Sequence, residues 1–309
     1  FYFYVYGYAD GEDKLPRTQD TLFDVASTSK AWTVMLAAQA IDDGLLAWDE
    51  PIQKHIPEFT MVDPYAGAHL SVRDMASHRS GLPGHDFLRE KIAGERETLM
   101  RKTAFLEPNV GFRSKYQYTT HMFILLGYLV ERVRGGQLWE DQIVERIARP
   151  LGIDQIRFRG INRDMDQVSP ALPYCSDGYK TDRCGYATNY HSAPCGGIRI
   201  SMKNMAKWIA AMSRGGVTES GARLCSEQQY REIIRPRGGL LLAEKQQLRP
   251  GLDQRRLQGS QRGVPQRRSH RLQHPGGLPS LGGLRLCDVL HHRQHPGTPG
   301  SPGHRAGRP

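Results

Sequence analysis

The apolar run from Ala31 to Ile41 constrains this chain more than any other stretch. Ala31, Trp32, Val34, Met35, Leu36, Ala38, Ala40 and Ile41 put apolar side chains on nearly every side, which predicts a buried helix. Asp42, Asp43 and Gly44 then stop it. Just ahead stands Phe23-Asp24-Val25-Ala26-Ser27-Thr28-Ser29-Lys30, with a serine where the helix should begin and a lysine three positions later. Residues three apart share a helix face, so Ser27 and Lys30 should point into one space. A serine hydroxyl becomes a good nucleophile when a neighbouring base takes its proton, and a close, partly desolvated lysine can do so. A helix N-terminus adds free N–H groups where an oxyanion develops. The chemistry this pattern suits is acyl transfer. The plainer alternative is a surface serine and lysine opening an ordinary helix.

Composition removes several other classes. The chain has 309 residues, enough for one large or two ordinary domains. Mean hydropathy is −0.55, and no apolar run is long enough to span a bilayer. A net charge of +10 would ordinarily point to an acidic partner. From Gln246 onward, however, eleven Arg face two acids (Asp253 and Asp288), so the tail holds +9 of that charge. The body is close to neutral, and no nucleic-acid partner is expected for it. The five cysteines (Cys175, Cys184, Cys195, Cys225, Cys287) show no C-x-x-C spacing. Free thiols are the default, with one bridge among Cys175, Cys184 and Cys195 left open. No set of metal ligands emerges.

Along the chain, Phe1 to Tyr8 reads as a strand entering a turn at Gly7-Tyr8-Ala9-Asp10, and its start within a strand is that expected of a fragment. Leu70 to Ala76 reads as a short helix capped by Ser71. It leads into the loop Ser77-His78-Arg79-Ser80-Gly81-Leu82-Pro83, where His78 is expected to orient the loop rather than act as a base. Met122 to Val133 and Gln137 to Ile147 read as helices. Cys195 to Ser201 reads as a Gly-hinged entry to another, Met202 to Met212, whose Met205, Trp208, Ile209 and Met212 are assigned to the core. Strands are expected only at the start and near the end.

Four motifs fall in an order that resembles one family: Gly7-Tyr8-Ala9-Asp10, Asp24 to Lys30, Ser77 to Pro83, and Gly196-Gly197-Ile198. The chain resembles the serine β-lactamase-related family, which includes class C β-lactamases, D-alanyl-D-alanine carboxypeptidases and esterases of the same fold. The likeness covers roughly residues 6–237. It implies an α/β (α+β) fold, with a central antiparallel sheet, flanking helices and an all-helical subdomain. It implies Ser27 as nucleophile, with Lys30 and Tyr118 moving its proton, on an ester or amide, β-lactams and D-Ala peptides included. No cofactor, nucleic-acid partner or membrane span is implied. Tyr118-Thr119-Thr120 stands where that family carries Tyr-x-Asn. Thr120 thus takes the place of a substrate-positioning amide, which favours ester over β-lactam turnover.

The family's third motif, on a late strand, is not matched in its expected setting. The nearest run, His274-Pro275-Gly276, lies in a tail that from Gln246 has no Phe, Tyr, Trp, Ile or Met from which to build a core. A one-base shift of plausible codons turns Leu248–Asp253 into Tyr-Gly-Leu-Gly-Trp and Pro265–Ser269 into His-Ser-Gly-Gly, both expected in the family. Residues 1–237 are therefore assigned to the domain, and 238–309 to a disordered Arg/Gly/Pro-rich tail read out of frame. Two rivals stay open: a non-catalytic family member with an incomplete site, and a nucleic-acid binder using the basic tail.

Overall fold

A computed structural model describes residues 4–86, 88, 94–160, 171–176, 181–185 and 189–236. The tail from residue 237, with Leu248–Asp253, Pro265–Ser269 and His274-Pro275-Gly276, lies outside the described residues. The chain divides into two compact units, residues 1–173 with 183–250, and residues 174–182 with 251–309. Strand β5 (Tyr174–Ser176) pairs with β6 (Thr181–Arg183).

The first unit is built around helix α1 (Ser29–Asp42), as the apolar run requires. Every residue from Ser29 to Ala40 is buried. Trp32 stacks on Trp208 with ring centroids 4.3 Å apart, and truncating a buried aromatic of this size typically costs about 3–5 kcal/mol. Helices α2 (Pro64–His69), α3 (Val72–Ala76), α4 (Arg96–Lys102), α5 (His121–Val133) and α6 (Trp139–Ile143) follow. α6 continues as a π-helical turn over Val144–Ala148. After these come α7 (Ala193–Gly196), α8 (Met202–Ser213) and α9 (Glu227–Ile234). α1 packs against α5, α7 and α9, and α5 against α4 and α7. At the α5–α7 crossing a Cβ on Gly127 would lie 2.4 Å from Pro194 Cγ, so only glycine permits this approach. Ser71 caps α3 as expected, and Asp74 completes a reciprocal capping box.

The strands depart from the sequence expectation. β3 (Leu22–Asp24), β4 (Ile156–Phe158) and β7 (Ile198–Ser201) form an antiparallel sheet in the order β3-β7-β4. Phe23 and Ile156 both pair with Ile200. Ile198–Ser201 is thus the central strand of this sheet, and its last residue, Ser201, also caps α8, the helix this stretch was expected to enter. Gly197 makes the hinge ahead of it, because a Cβ there would sit 2.6 Å from Ala193 Cα. Tyr8–Asp10, expected as a turn, is strand β1, paired with β2 (Leu15–Pro16). The turn falls later, among polar residues. Met205 and Trp208 of α8 are buried as expected, whereas Ile209 is 42% exposed. Cys175 and Cys184 are disulfide-bonded, so among the described residues the free-thiol default holds only for Cys195 and Cys225, both buried. Among the described residues no helix is long and apolar enough to cross a membrane.

Candidate active site

The turn from β3 into α1 is shaped by its own polar groups. Asp24 closes β3, and its Oδ1 accepts the Ala26 N–H at 3.0 Å, an Asx turn that ends the extended backbone. Ala26 takes φ +45°, a left-handed conformation that is strained for an L side chain. Two contacts hold the strain in place. Ser29 Oγ donates to Ala26 O at 2.8 Å and accepts the Ile198 N–H at 3.1 Å, tying the turn to the central strand. Gly196 abuts Ala26, where a Cβ would come within 3.4 Å of the Ala26 carbonyl carbon. Arg159 adds an ion pair to Asp24 at 2.8 Å. Ser27 emerges from this turn within a single 3-10 turn, Ala26–Thr28, immediately before α1.

Ser27 Oγ is the meeting point. Lys30 Nζ lies 2.9 Å from it, and Tyr118 Oη donates to it at 2.7 Å. Lys30 is wholly buried, and its Nζ also donates to the Cys195 carbonyl at 2.7 Å. The same nitrogen stands 4.8 Å from the Tyr118 ring centre and 5.6 Å from that of Phe123. Its neighbours are thus a hydroxyl, a carbonyl and two aromatic faces. One hydroxyl oxygen therefore has two proton-carrying groups on it, one amine and one phenol. Such a set can take a proton from the serine and return it to a second group nearby.

Of the residues singled out in the sequence, Ser27, Lys30 and Tyr118 come together. Thr120 is almost completely buried at the N-cap position of α5, two residues after Tyr118, and its side chain makes no capping hydrogen bond. His78 is buried in its loop and accepts the Thr119 N–H on Nδ1 at 3.1 Å, the orienting use expected of it. Burial, and next the nearby Lys30, push its pKa down to about 3. His121, fully buried with Nε2 2.7 Å from Thr103 Oγ1, is pushed down by burial to about 4. Three contributors escaped the sequence reading. The Cys195 carbonyl is one, because a backbone acceptor carries no signal in residue type. Asp24 and Ser29 are the others, though Asp two residues before a turn is a recognisable Asx pattern.

Arg96 is buried between Glu131 and Glu140 and also donates to the Tyr190 and His191 carbonyls. It thereby joins α4, α5 and α6 to the turn that leads into α7 and Cys195. Burial holds Glu131 above the usual carboxylate range despite Arg96.

The fold agrees with the comparison to known proteins. A family model described as Beta-lactamase matches residues 1–279, and the chain belongs to that family, whose members are serine hydrolases. It is 30% identical over 222 residues to the unguisins hydrolase ungD' of Aspergillus campestris, covering 65% of this chain and 40% of that protein. It is 28% identical over 167 residues to a penicillin-binding protein of Bacillus subtilis, covering 50% of this chain and 35% of that one. The chain thus spans about two fifths of the length of these curated relatives. Among solved structures, a D-amino acid amidase of Ochrobactrum anthropi superposes with a TM-score of 0.61 at 21% identity, over 74% of this chain and 64% of the amidase.

Proposed function

We propose that this chain is an acyl-transferring serine hydrolase acting on a small carboxylic ester or amide. The observation that carries the proposal is the placement of Lys30 Nζ and Tyr118 Oη at 2.9 and 2.7 Å from one hydroxyl oxygen. In the proposed reaction Ser27 Oγ attacks the substrate carbonyl carbon as its proton passes into the Lys30–Tyr118 pair. The tetrahedral oxyanion collapses, the bond to the alcohol or amine leaving group breaks, and the pair returns the proton to that group. Water then adds to the acyl-serine by the same route and frees the acid. Thr120 is the proposed substrate-contacting residue, on the resemblance alone. A hydroxyl there offers fewer hydrogen bonds than the amide of the resembled family, so esters are the favoured substrates.

The domain assignment belongs to the same proposal: residues 1–237 carry the fold, and 238–309 are a tail read out of frame. Resequencing the transcript across that junction tests it, since an unaltered frame contradicts it.

The functional test is steady-state hydrolysis of a nitrophenyl ester, with a chromogenic cephalosporin alongside. Ser27→Ala should fall to background. Lys30→Met and Tyr118→Phe should each lose about 10²–10⁴ in kcat, the usual worth of a positioned proton carrier. Undiminished turnover by Ser27→Ala would reject the proposal. A folded wild-type chain with no turnover would instead favour the non-catalytic rival.

A further inference from the structure

Tyr118 carries half of the proposed proton relay, yet it sits on no helix or strand. It lies in the irregular stretch that precedes α5, so no ladder of its own fixes the phenol on Ser27. Something else must, because a misplacement of about 1 Å at a reacting group can cost about 10²-fold in rate.

We propose that His78 is the positioning residue that holds Tyr118 on Ser27, gripping the tyrosine from both sides of its backbone and across its ring. The inference rests on the hydrolase reading above and goes beyond it in assigning this residue. Its carbonyl accepts the N–H of Gln117, the residue before the tyrosine, at 2.8 Å. Its Nδ1 accepts the N–H of Thr119, the residue after, at 3.1 Å. Its ring lies against the Tyr118 ring with centroids 4.5 Å apart, and against Phe123 at 5.0 Å. One wholly buried side chain and its own carbonyl thus define position, direction and ring plane together.

The geometry explains why the residue is histidine. His78 has φ +56°, which few side chains tolerate and in which histidine is enriched. It needs an acceptor at the Nδ1 position and an aromatic face in the same residue. With Nδ1 accepting, the proton of the neutral ring resides on Nε2, which is buried without a hydrogen-bond partner. A second proton on Nδ1 would face the Thr119 N–H, and burial keeps it away. His78 therefore does not serve as a base; it acts through Tyr118. The loop that carries it is itself docked on the tyrosine segment: Arg113 N–H donates to Arg79 O at 2.9 Å. A Cβ on Gly81 would lie 2.7 Å from Val110 O, so that approach needs glycine.

The test compares two replacements that separate the acceptor from the ring. His78→Asn keeps an acceptor at the Nδ1 position and tolerates positive φ, whereas His78→Phe keeps a ring and has no acceptor. Nitrophenyl ester hydrolysis is measured on the full chain and normalised to the folded fraction by circular dichroism. His78→Phe should lose about 10²-fold in kcat with KM within about threefold, and His78→Asn should recover at least about tenfold of that loss. His78→Gln repeats the test if the Phe chain does not fold, since its amide reaches the Nε2 position and leaves the Thr119 N–H without its acceptor. In a Tyr118→Phe background, either acceptor-less change should cost little more. Equal rates for the Asn and Phe variants, a loss confined to KM, or full additivity with Tyr118→Phe would overturn the assignment. Ser27→Ala run in parallel separates the two ideas. If it keeps wild-type turnover, the hydrolase reading fails; if it is dead while the His78 variants match wild type, only the role of His78 fails.

Discussion

Acid should destabilise this protein through His121, and by an amount the structure sets. His121 is fully buried with its Nε2 on Thr103 Oγ1, and its pKa is pushed from 6.5 down to about 4. In the unfolded chain the same imidazole returns to its ordinary range. As pH falls through 6.5 the unfolded state takes up a proton that the folded state refuses, so stability is lost until about pH 4, where both forms bind it. From pH 7 to pH 5 that single difference amounts to about 2 kcal/mol, at about 1.4 kcal/mol per unit once the unfolded form titrates. His78 adds a loss of the same sign, and Glu131, held high by burial, acts in the opposite direction. A variant comparison removes both. His121→Gln keeps an amide within reach of Thr103 and has nothing to titrate. Urea unfolding followed by tryptophan fluorescence at pH 7, 6 and 5 should show the advantage of wild type over this variant shrinking by about 2 kcal/mol. A gap that stays constant, or widens on acidification, would refute the reasoning.

Two further outcomes follow from packing. Gly127→Ala would drive a Cβ to 2.4 Å from Pro194 Cγ, and overpacking of this kind costs about 1–3 kcal/mol, outweighing the better helix propensity of alanine. Thermal melting should show it as a lower Tm, and ester turnover should fall as well, because Pro194 precedes the carbonyl that holds Lys30. Arg96→Met would strand Glu131 and Glu140 without their buried cation, a loss of about 3–5 kcal/mol. Denaturant titration should find the deficit largest at neutral pH and smaller as the carboxylates protonate.

The helices and the core of the site were legible because their signals are local. Ser27 and Lys30 meet through an i, i+3 spacing, and the apolar run behind them states its own burial. Tyr118 was legible only through a motif, since nothing local announces that it lies 2.7 Å from a serine ninety-one residues earlier. An antiparallel sheet was expected from the resemblance, but its strands were not legible in their own residues. β4 has three residues and β7 four, too few for an alternating pattern to differ from chance, and all four β7 residues are buried. A short run buried on both faces reads equally well as a piece of helix. Arg96 was missed for another reason: its partners lie 35 and 44 residues away, and pairing at that distance is a property of packing rather than of pattern.

Acylation of Ser27 tests the central claim most directly. The folded chain is treated with a fluorophosphonate, and separately with a penicillin, then analysed by intact mass and peptide mapping. We expect one stoichiometric adduct on the peptide that contains Ser27, absent from Ser27→Ala and slowed in Lys30→Met and Tyr118→Phe. A folded chain that takes up neither reagent, or one whose adduct survives Ser27→Ala, would contradict a hydrolase built on this serine.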